Sequence, residues 1–272
     1  MHSHMLSEIL TFAFFLLIGL EIREGVNKPK EAILPSLCAL FGMIFPALIF
    51  IGLKTGSSGW AIPMPTDVAL AIGALSLLGK RVNPSVRLFL LTLAVADDFL
   101  SLVVIGIFFR EDLHLASAIY TLGAASVGFL LPLRERLIAI LSPIATYVII
   151  PIYIWINLLS KLDLSVAGEK ISIAIIVARV IGKVVGIGLA ALLFTRFTSL
   201  KLPATLELDE VIGVGFLAGM GLTVSLVIAD ITLKSSIQLD QVRAGLFSAA
   251  LISGVLGLSW LSLRMRMRGK NS

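Results

Sequence analysis

Two aspartates stand side by side, Asp97 and Asp98, in a stretch that carries no other charge from Leu88 to Phe109. A second apolar run holds Lys183 at its midpoint, with Arg179 one turn earlier, and a third holds Asp67 directly after Thr66. A charge at the centre of a membrane helix costs roughly 2.5–3.5 kcal/mol on insertion scales. Such groups persist when they face a protein interior, pair with one another and serve an ion or proton pathway. Consecutive helical residues are about 100° apart, so both aspartates can border one cavity. Carboxylates this close resist double ionisation, and one that titrates near neutrality can exchange its proton for a cation. Hard oxygen ligands suit a small hard cation. A plainer reading is a structural salt bridge between Lys183 and one aspartate, which leaves the second carboxylate unexplained.

The elements that must hold these groups follow from composition. Of 272 residues, 58% are hydrophobic and 14% charged, with mean hydropathy +1.03. A soluble domain carries about 25% charged residues, so a soluble or disordered chain is excluded and an all-α polytopic membrane protein is indicated. Nine apolar runs read as transmembrane helices, at 6–22, 31–53, 60–79, 86–109, 113–133, 138–159, 171–197, 207–233 and 240–263. They are too long and too uniformly apolar for barrel strands, which alternate over about 10 residues. With the N-terminus outside, cytoplasmic segments hold fourteen lysines and arginines and external ones six. That bias favours N-out, C-in. The basic tail, 264–272, then reads as a cytoplasmic anchor, not a nucleic-acid contact. Cys38, the one cysteine, has no partner for an internal disulfide. The start, Met1 to Met5, lacks the basic segment and cleavage site of a signal peptide. No nucleotide, haem or metal-cofactor motif is present, so no cofactor is expected.

Two of the runs look interrupted. In 60–79, Pro63 and Pro65 stand just ahead of Thr66 and Asp67, and proline removes a helix donor and clashes with the preceding turn. In 207–233, the run from Gly213 to Ser225 contains four glycines, among them Gly219 and Gly221, and two hydroxyls. Glycines of this kind serve either close helix packing or a break in the helix, where they cost about 1 kcal/mol each in a continuous one. Interrupted segments at corresponding positions of two halves point to a transporter site. The second, third and fourth runs (31–109) and the last three (171–263) each have the interrupted helix in the middle, and they enter the membrane in opposite directions. The expected organisation is one transporter domain over 1–272. It comprises repeat one at 31–109, connecting helices at 113–159 and an inverted repeat two at 171–263. Interrupted helices expose positive ends that Asp67 can neutralise and negative ends that Lys183 can neutralise.

Five stretches resemble the NhaA family of sodium/proton antiporters. They are Phe14 to Arg23, Gly59 to Asp67, Leu93 to Asp98, Ile181 to Gly186 and Gly219 to Ser225. They fall in order over nearly the whole chain. The resemblance implies exchange of Na⁺ or Li⁺ for more than one proton by alternating access in a bacterial inner membrane, with no enzymatic step. It implies that Asp97 and Asp98 are the cation and proton pair, Asp98 being the more direct ligand. By the same likeness Lys183 pairs with Asp97, Thr66 and Asp67 lie where two discontinuous helices cross, and Glu21 lines a cytoplasmic funnel.

Departures from the family pattern set further expectations. Family members have twelve spans against nine here. The first family helix, with the hairpin that helps hold the dimer, is absent, which counts against a homodimer. About two helices are missing between Asp112 and Phe129. The stretch Arg136 to Ser142 lacks the histidines and acids of the family's pH sensor. His114 reads as a solvated loop residue. Val184 follows Lys183 where proline is common, and Arg179 is an added cation able to repel Na⁺ or to compete for Asp97. These departures motivate an alternative: a transport-inactive relative with a structural or sensing role. An intramembrane aspartyl protease would also use a carboxylate pair, but its Gly-x-Gly-Asp signature does not occur.

Overall fold

The computed structural model describes residues 10, 12–13, 15–16, 19, 29–53, 55–79, 82–109, 123–130, 143–203 and 205–271. Most of the expected 6–22 span, Glu21, His114, the 134–142 segment and much of 113–133 lie outside the described residues. All regular structure among the described residues is helical. In chain order the helices are α1 (Pro29–Gly52), α2 (Val68–Ser76), α3 (Pro84–Phe108), α4 (Ala124–Leu130) and α5 (Ile150–Asn157). They are followed by α6 (Lys170–Val177), α7 (Lys183–Phe197), α8 (Leu208–Ala218), α9 (Thr223–Thr232) and α10 (Ser236–Asn271).

Four apolar helices among the described residues are long enough to cross a membrane: Ala32–Gly52, Pro84–Phe108, Lys170–Phe197 and Ser236–Arg268. Taken together, α8 and α9, bent by 49° at their junction, are also long and apolar enough for one broken crossing or a re-entrant loop. The protein is thus a multi-pass helical membrane protein. The span over 171–197 is two helices, α6 and α7, joined by a π-helical turn at Ala178–Gly182 that carries Arg179. Such turns occur mostly as single bulges within α-helices, frequently at functional sites. The span over 60–79 contains only the nine-residue α2, preceded by a chain of tight turns. The last helix is longer than its apolar run: α10 has 36 residues, about 54 Å at 1.5 Å per residue. The basic tail continues that helix as far as Asn271.

The central layer is made by α1 against α7, α7 against α8, and α8 against α10. Close approach of α1 and α7 rests on small residues. A Cβ added at Gly182 would meet the Pro46 backbone at 2.9 Å, and one at Gly186 would run into the Phe41 carbonyl. Small residues at such contacts let membrane helices pack at backbone distance. The outward faces stay apolar: Leu48, Ile51, Ile107, Phe108, Trp155 and Val255 are exposed. In water such a surface would be an association hazard, and in lipid it matches the solvent.

The loops sort into two ends. At one end, Ser85 lies 2.6 Å from Thr205 between hydroxyls, Arg264 pairs with Asp209 at 2.5 Å, and Arg268 pairs with Glu210 at 3.3 Å. At the other, the Ser58 hydroxyl donates to the Thr232 carbonyl at 3.1 Å and Arg243 donates to the Asn157 carbonyl at 3.1 Å. The first set joins segments that the charge bias places on a single side, and the second joins segments that it places on the opposite side.

Candidate functional site

The site begins with α3. Asn83 caps it by accepting the Ser85 N–H at 3.0 Å, and Pro84 opens the first turn, where a missing N–H costs nothing. The helix then presents Asp97, Asp98, Ser101 and Ile105 to the interior, with Asp97 fully buried and Asp98 nearly so.

Opposite α3, the chain from Gly59 to Met64 closes successive turns, Ile62 N–H to the Gly59 carbonyl at 3.1 Å and Met64 N–H to the Ala61 carbonyl at 3.2 Å. Pro63 and Pro65 supply no N–H that could extend those turns into a helix. Asp67 is extended, with φ −111° and ψ 105°, and α2 starts immediately after it. In the second interrupted run, α8 ends at Ala218, residues 219–222 turn, and α9 starts at Thr223. The glycines of that run serve both purposes. Gly213 and Gly215 pack against Leu261 and Val184, while Gly219 and Gly221 lie in the break. At Gly221 a Cβ would collide with the Pro65 carbonyl and with Arg179, so the two interruptions pass each other at backbone contact.

The crossing is tied in both directions. The Thr66 hydroxyl donates at 3.0 Å to the carbonyl of Ala218, the last residue of α8. Asp67 Oδ2 accepts the Thr223 N–H at 3.3 Å and the Thr223 hydroxyl at 3.0 Å, at the first residue of α9. A carboxylate at a helix N-terminus satisfies an orphan N–H and offsets the positive end of the helix dipole.

Lys183 reaches into the same crossing. Its Nζ lies 3.2 and 3.3 Å from the two Asp97 oxygens and donates to the Thr66 hydroxyl at 2.9 Å. Asp97 Oδ2 also accepts the Thr66 backbone N–H. Neither Lys183 nor Asp97 is exposed to solvent. A buried ion pair holds together only when hydrogen bonds satisfy its remaining sites, and Thr66 supplies them from backbone and side chain at once.

Arg179 reaches the same crossing from the turn before Lys183. This wholly buried guanidinium donates through Nη2 to the Pro65 carbonyl and through Nη1 to the Ser225 hydroxyl at 3.1 Å. A planar fork serves two acceptors on different segments, whereas an ammonium is a point charge that settles against a carboxylate. Arg179 is near enough to Asp97 and Asp67 to attract both, yet it donates its hydrogen bonds to Pro65 and Ser225. Its Nε has no hydrogen-bond partner among the described residues.

Residues 66, 67, 97 and 183 thus gather between α3, α7 and the two interruptions, and Asp98 is buried next to Asp97 on α3. Pro63, Pro65, Gly219 and Gly221 form the interruptions themselves. Glu21 lies outside the described residues. The sequence reading passed over Ser101. It is 1% exposed, and its hydroxyl has no partner among the described residues. Its position four residues after Asp97 was the available signal, since i and i+4 share a helix face.

A helical, multi-pass membrane protein with buried charges gathered where two interrupted helices cross has the construction of a secondary transporter. Comparison with known proteins makes the assignment narrower. The family model described as Na+/H+ antiporter 1 matches residues 1–136 and 132–261. The Na(+)/H(+) antiporter NhaA of Citrobacter koseri is 30% identical over 322 residues, which cover 96% of this chain and 83% of the relative. That of Salmonella arizonae is 30% identical with the same coverage, and that of Escherichia coli O1:K1 is 29% identical over 323 residues. The chain belongs to the NhaA family of Na⁺/H⁺ antiporters. It is a shortened member: 322 residues of the Citrobacter protein align with less than the 272 present here, so the relative carries internal segments that this chain lacks. The two pieces of the family match meet at 132–136, close to the stretch where two helices were expected to be missing.

Proposed function

We propose that this protein exports Na⁺ or Li⁺ in exchange for more than one proton per cation, from a bacterial inner membrane, with its N-terminus outside and its C-terminus in the cytoplasm. The observation that carries the reading is the buried set formed by Asp97, Lys183 and Thr66 at the crossing of two interrupted helices. Its components are already ion-paired and hydrogen-bonded to each other, so a cation or a proton that joins Asp97 must compete with Lys183. With every group ionised, Asp67, Asp97 and Asp98 outweigh Arg179 and Lys183 by a single negative charge, so the set attracts cations and protons alike. Binding of the cation and of protons is then mutually exclusive at the same carboxylates.

Each residue has a part in that exchange. Asp98, with Asp97, supplies hard oxygens for the cation. Lys183 holds Asp97 in the cation-free state. Thr66 couples that pair to the end of α8, and Asp67 couples the same segment to the start of α9. A change of charge at Asp97 is felt directly by both interrupted helices. Movement of one three-helix repeat, 31–109, against the other, 171–263, would then open the site alternately to each side. The named relatives are antiporters, and no enzymatic step is required.

The test uses purified protein in weakly buffered detergent solution. Addition of NaCl to the wild type is expected to release protons, and equal choline chloride is not. Asp98→Asn is expected to abolish the release. Release of protons by Asp98→Asn at the wild-type level would refute the assignment of the site.

A further inference from the structure

Ser101 is buried on α3 in the turn after the aspartate pair. A serine inside a helix ordinarily satisfies its hydroxyl by donating to the carbonyl four residues back. Thr92, Ser160, Thr195 and Thr232 all do so here, at 2.7–2.9 Å. Ser101 does not: like that of Ser253 on α10, its hydroxyl has no partner among the described residues, and of the two only Ser101 follows the aspartate pair on α3. A buried hydroxyl left unpaired costs free energy, so a native structure that keeps one calls for an occupant.

Helix geometry says where that hydroxyl lies. At about 100° per residue, Asp98 stands about 100° round the helix from Asp97, and Ser101 stands about 40° round, between the two. Side chains on a helix lean towards its N-terminus, over the preceding turn. The Ser101 hydroxyl therefore overhangs the sector that separates the carboxylates. A neutral oxygen there can offer its lone pair to a cation without adding charge, and it can donate its hydrogen when a carboxylate is the neighbour.

We propose that Ser101 is a ligand for the transported cation, a neutral third oxygen beside Asp97 and Asp98 that favours small alkali cations, Na⁺ and Li⁺. The proposal rests on the reading of this site as the exchange site. When a cation is bound, the hydroxyl turns its lone pair to it.

The experiment compares wild type, Ser101→Ala, Ser101→Thr and Asp98→Asn in everted vesicles, by the concentration of Na⁺ or Li⁺ that gives half-maximal dissipation of the proton gradient. Direct Na⁺ titration of each purified protein at fixed pH accompanies it. Ser101→Ala is expected to raise the apparent KM and the dissociation constant for Na⁺ by about ten-fold, the size of losing one interaction with a charged group. Its maximal rate and the amount inserted should stay near wild type, and Ser101→Thr, which keeps the hydroxyl, should stay near wild type in all respects. Wild-type affinity in Ser101→Ala would overturn the proposal, and so would a loss of inserted protein or rate without a change in affinity. If Asp98→Asn inactivates while Ser101→Ala is silent, only the serine ligand is lost. If Asp98→Asn is also silent, or the wild type neither exchanges nor binds Na⁺, the site itself is wrong and the proposal falls with it.

Discussion

Asp97 and Lys183 are each fully buried and stand 3.2 Å apart, and that makes them the most consequential pair in the molecule. Removing one partner of a buried pair typically costs about 3–5 kcal/mol, because the other charge remains without compensation. Lys183→Ala should therefore lower the melting temperature in detergent sharply, and Asp97→Asn combined with it should restore most of the loss. Additive losses would show that the two residues do not act as a pair. Arg179 makes a different demand. Lysine in its place keeps the charge but not the fork, so Arg179→Lys leaves either the Pro65 carbonyl or the Ser225 hydroxyl without its donor. A buried unsatisfied group costs about 1–3 kcal/mol. Arg179→Lys should melt measurably below wild type, and an unchanged melting temperature would contradict the bridging role. The ion pair was legible in the sequence because isolated intramembrane charges cost too much to be left unpaired. The task of Arg179 was not, since two cations one turn apart offer the same charge, and only side-chain shape decides which takes the carbonyl. Ser101 was hidden for a related reason: most helical serines satisfy themselves locally, and nothing in the one-dimensional pattern marks an exception.

At the scale of elements, the two interruptions were readable from Pro63, Pro65, Gly219 and Gly221, because those residues break helices by backbone chemistry. What they pass against was not readable, since crossing partners are set by packing between distant segments. The same physics gives a contrast between neighbouring glycines on α7. Gly186 faces α1, where a Cβ would strike the Phe41 carbonyl, while a Cβ at Gly188 meets nothing within 4 Å. Gly186→Ala should force α1 and α7 apart and reduce the yield of folded protein. Gly188→Ala should be tolerated, or stabilise by up to about 1 kcal/mol from helix propensity. Size-exclusion profiles and melting temperatures of the two variants check this, and equal behaviour would contradict the close α1–α7 contact. The π-helical turn at Ala178–Gly182 was invisible in the sequence, as its residues are ordinary helix formers in an apolar run.

At the scale of the whole molecule, composition indicated a multi-pass helical protein, and hydropathy gave spans that coincide closely with α1, α3 and the α6–α7 pair. The final helix outran its apolar stretch because Arg264 and Arg268 are held by Asp209, Glu207 and Glu210. Those half-exposed pairs are worth little individually, yet they gather one set of loops at one end. The proposed orientation predicts which end is cytoplasmic. Cys38 is buried and should not react, so single cysteines at exposed positions report cleanly. Ser235→Cys should label with an impermeant maleimide from outside in intact cells, and Met267→Cys only after permeabilisation. The reverse pattern would invert the topology.

The most direct measurement is dissipation of a respiratory proton gradient on adding Na⁺ or Li⁺ to everted vesicles from a host without its own antiporters. Wild type and Asp98→Asn would be run in parallel over pH 6.5–9. Dissipation by the wild type and none by a fully inserted Asp98→Asn is the predicted result, and it would show that a shortened family member carries out the exchange. Equal dissipation by both would contradict the aspartate site, while silence from an inserted wild type would contradict transport and favour a relative that only senses or scaffolds.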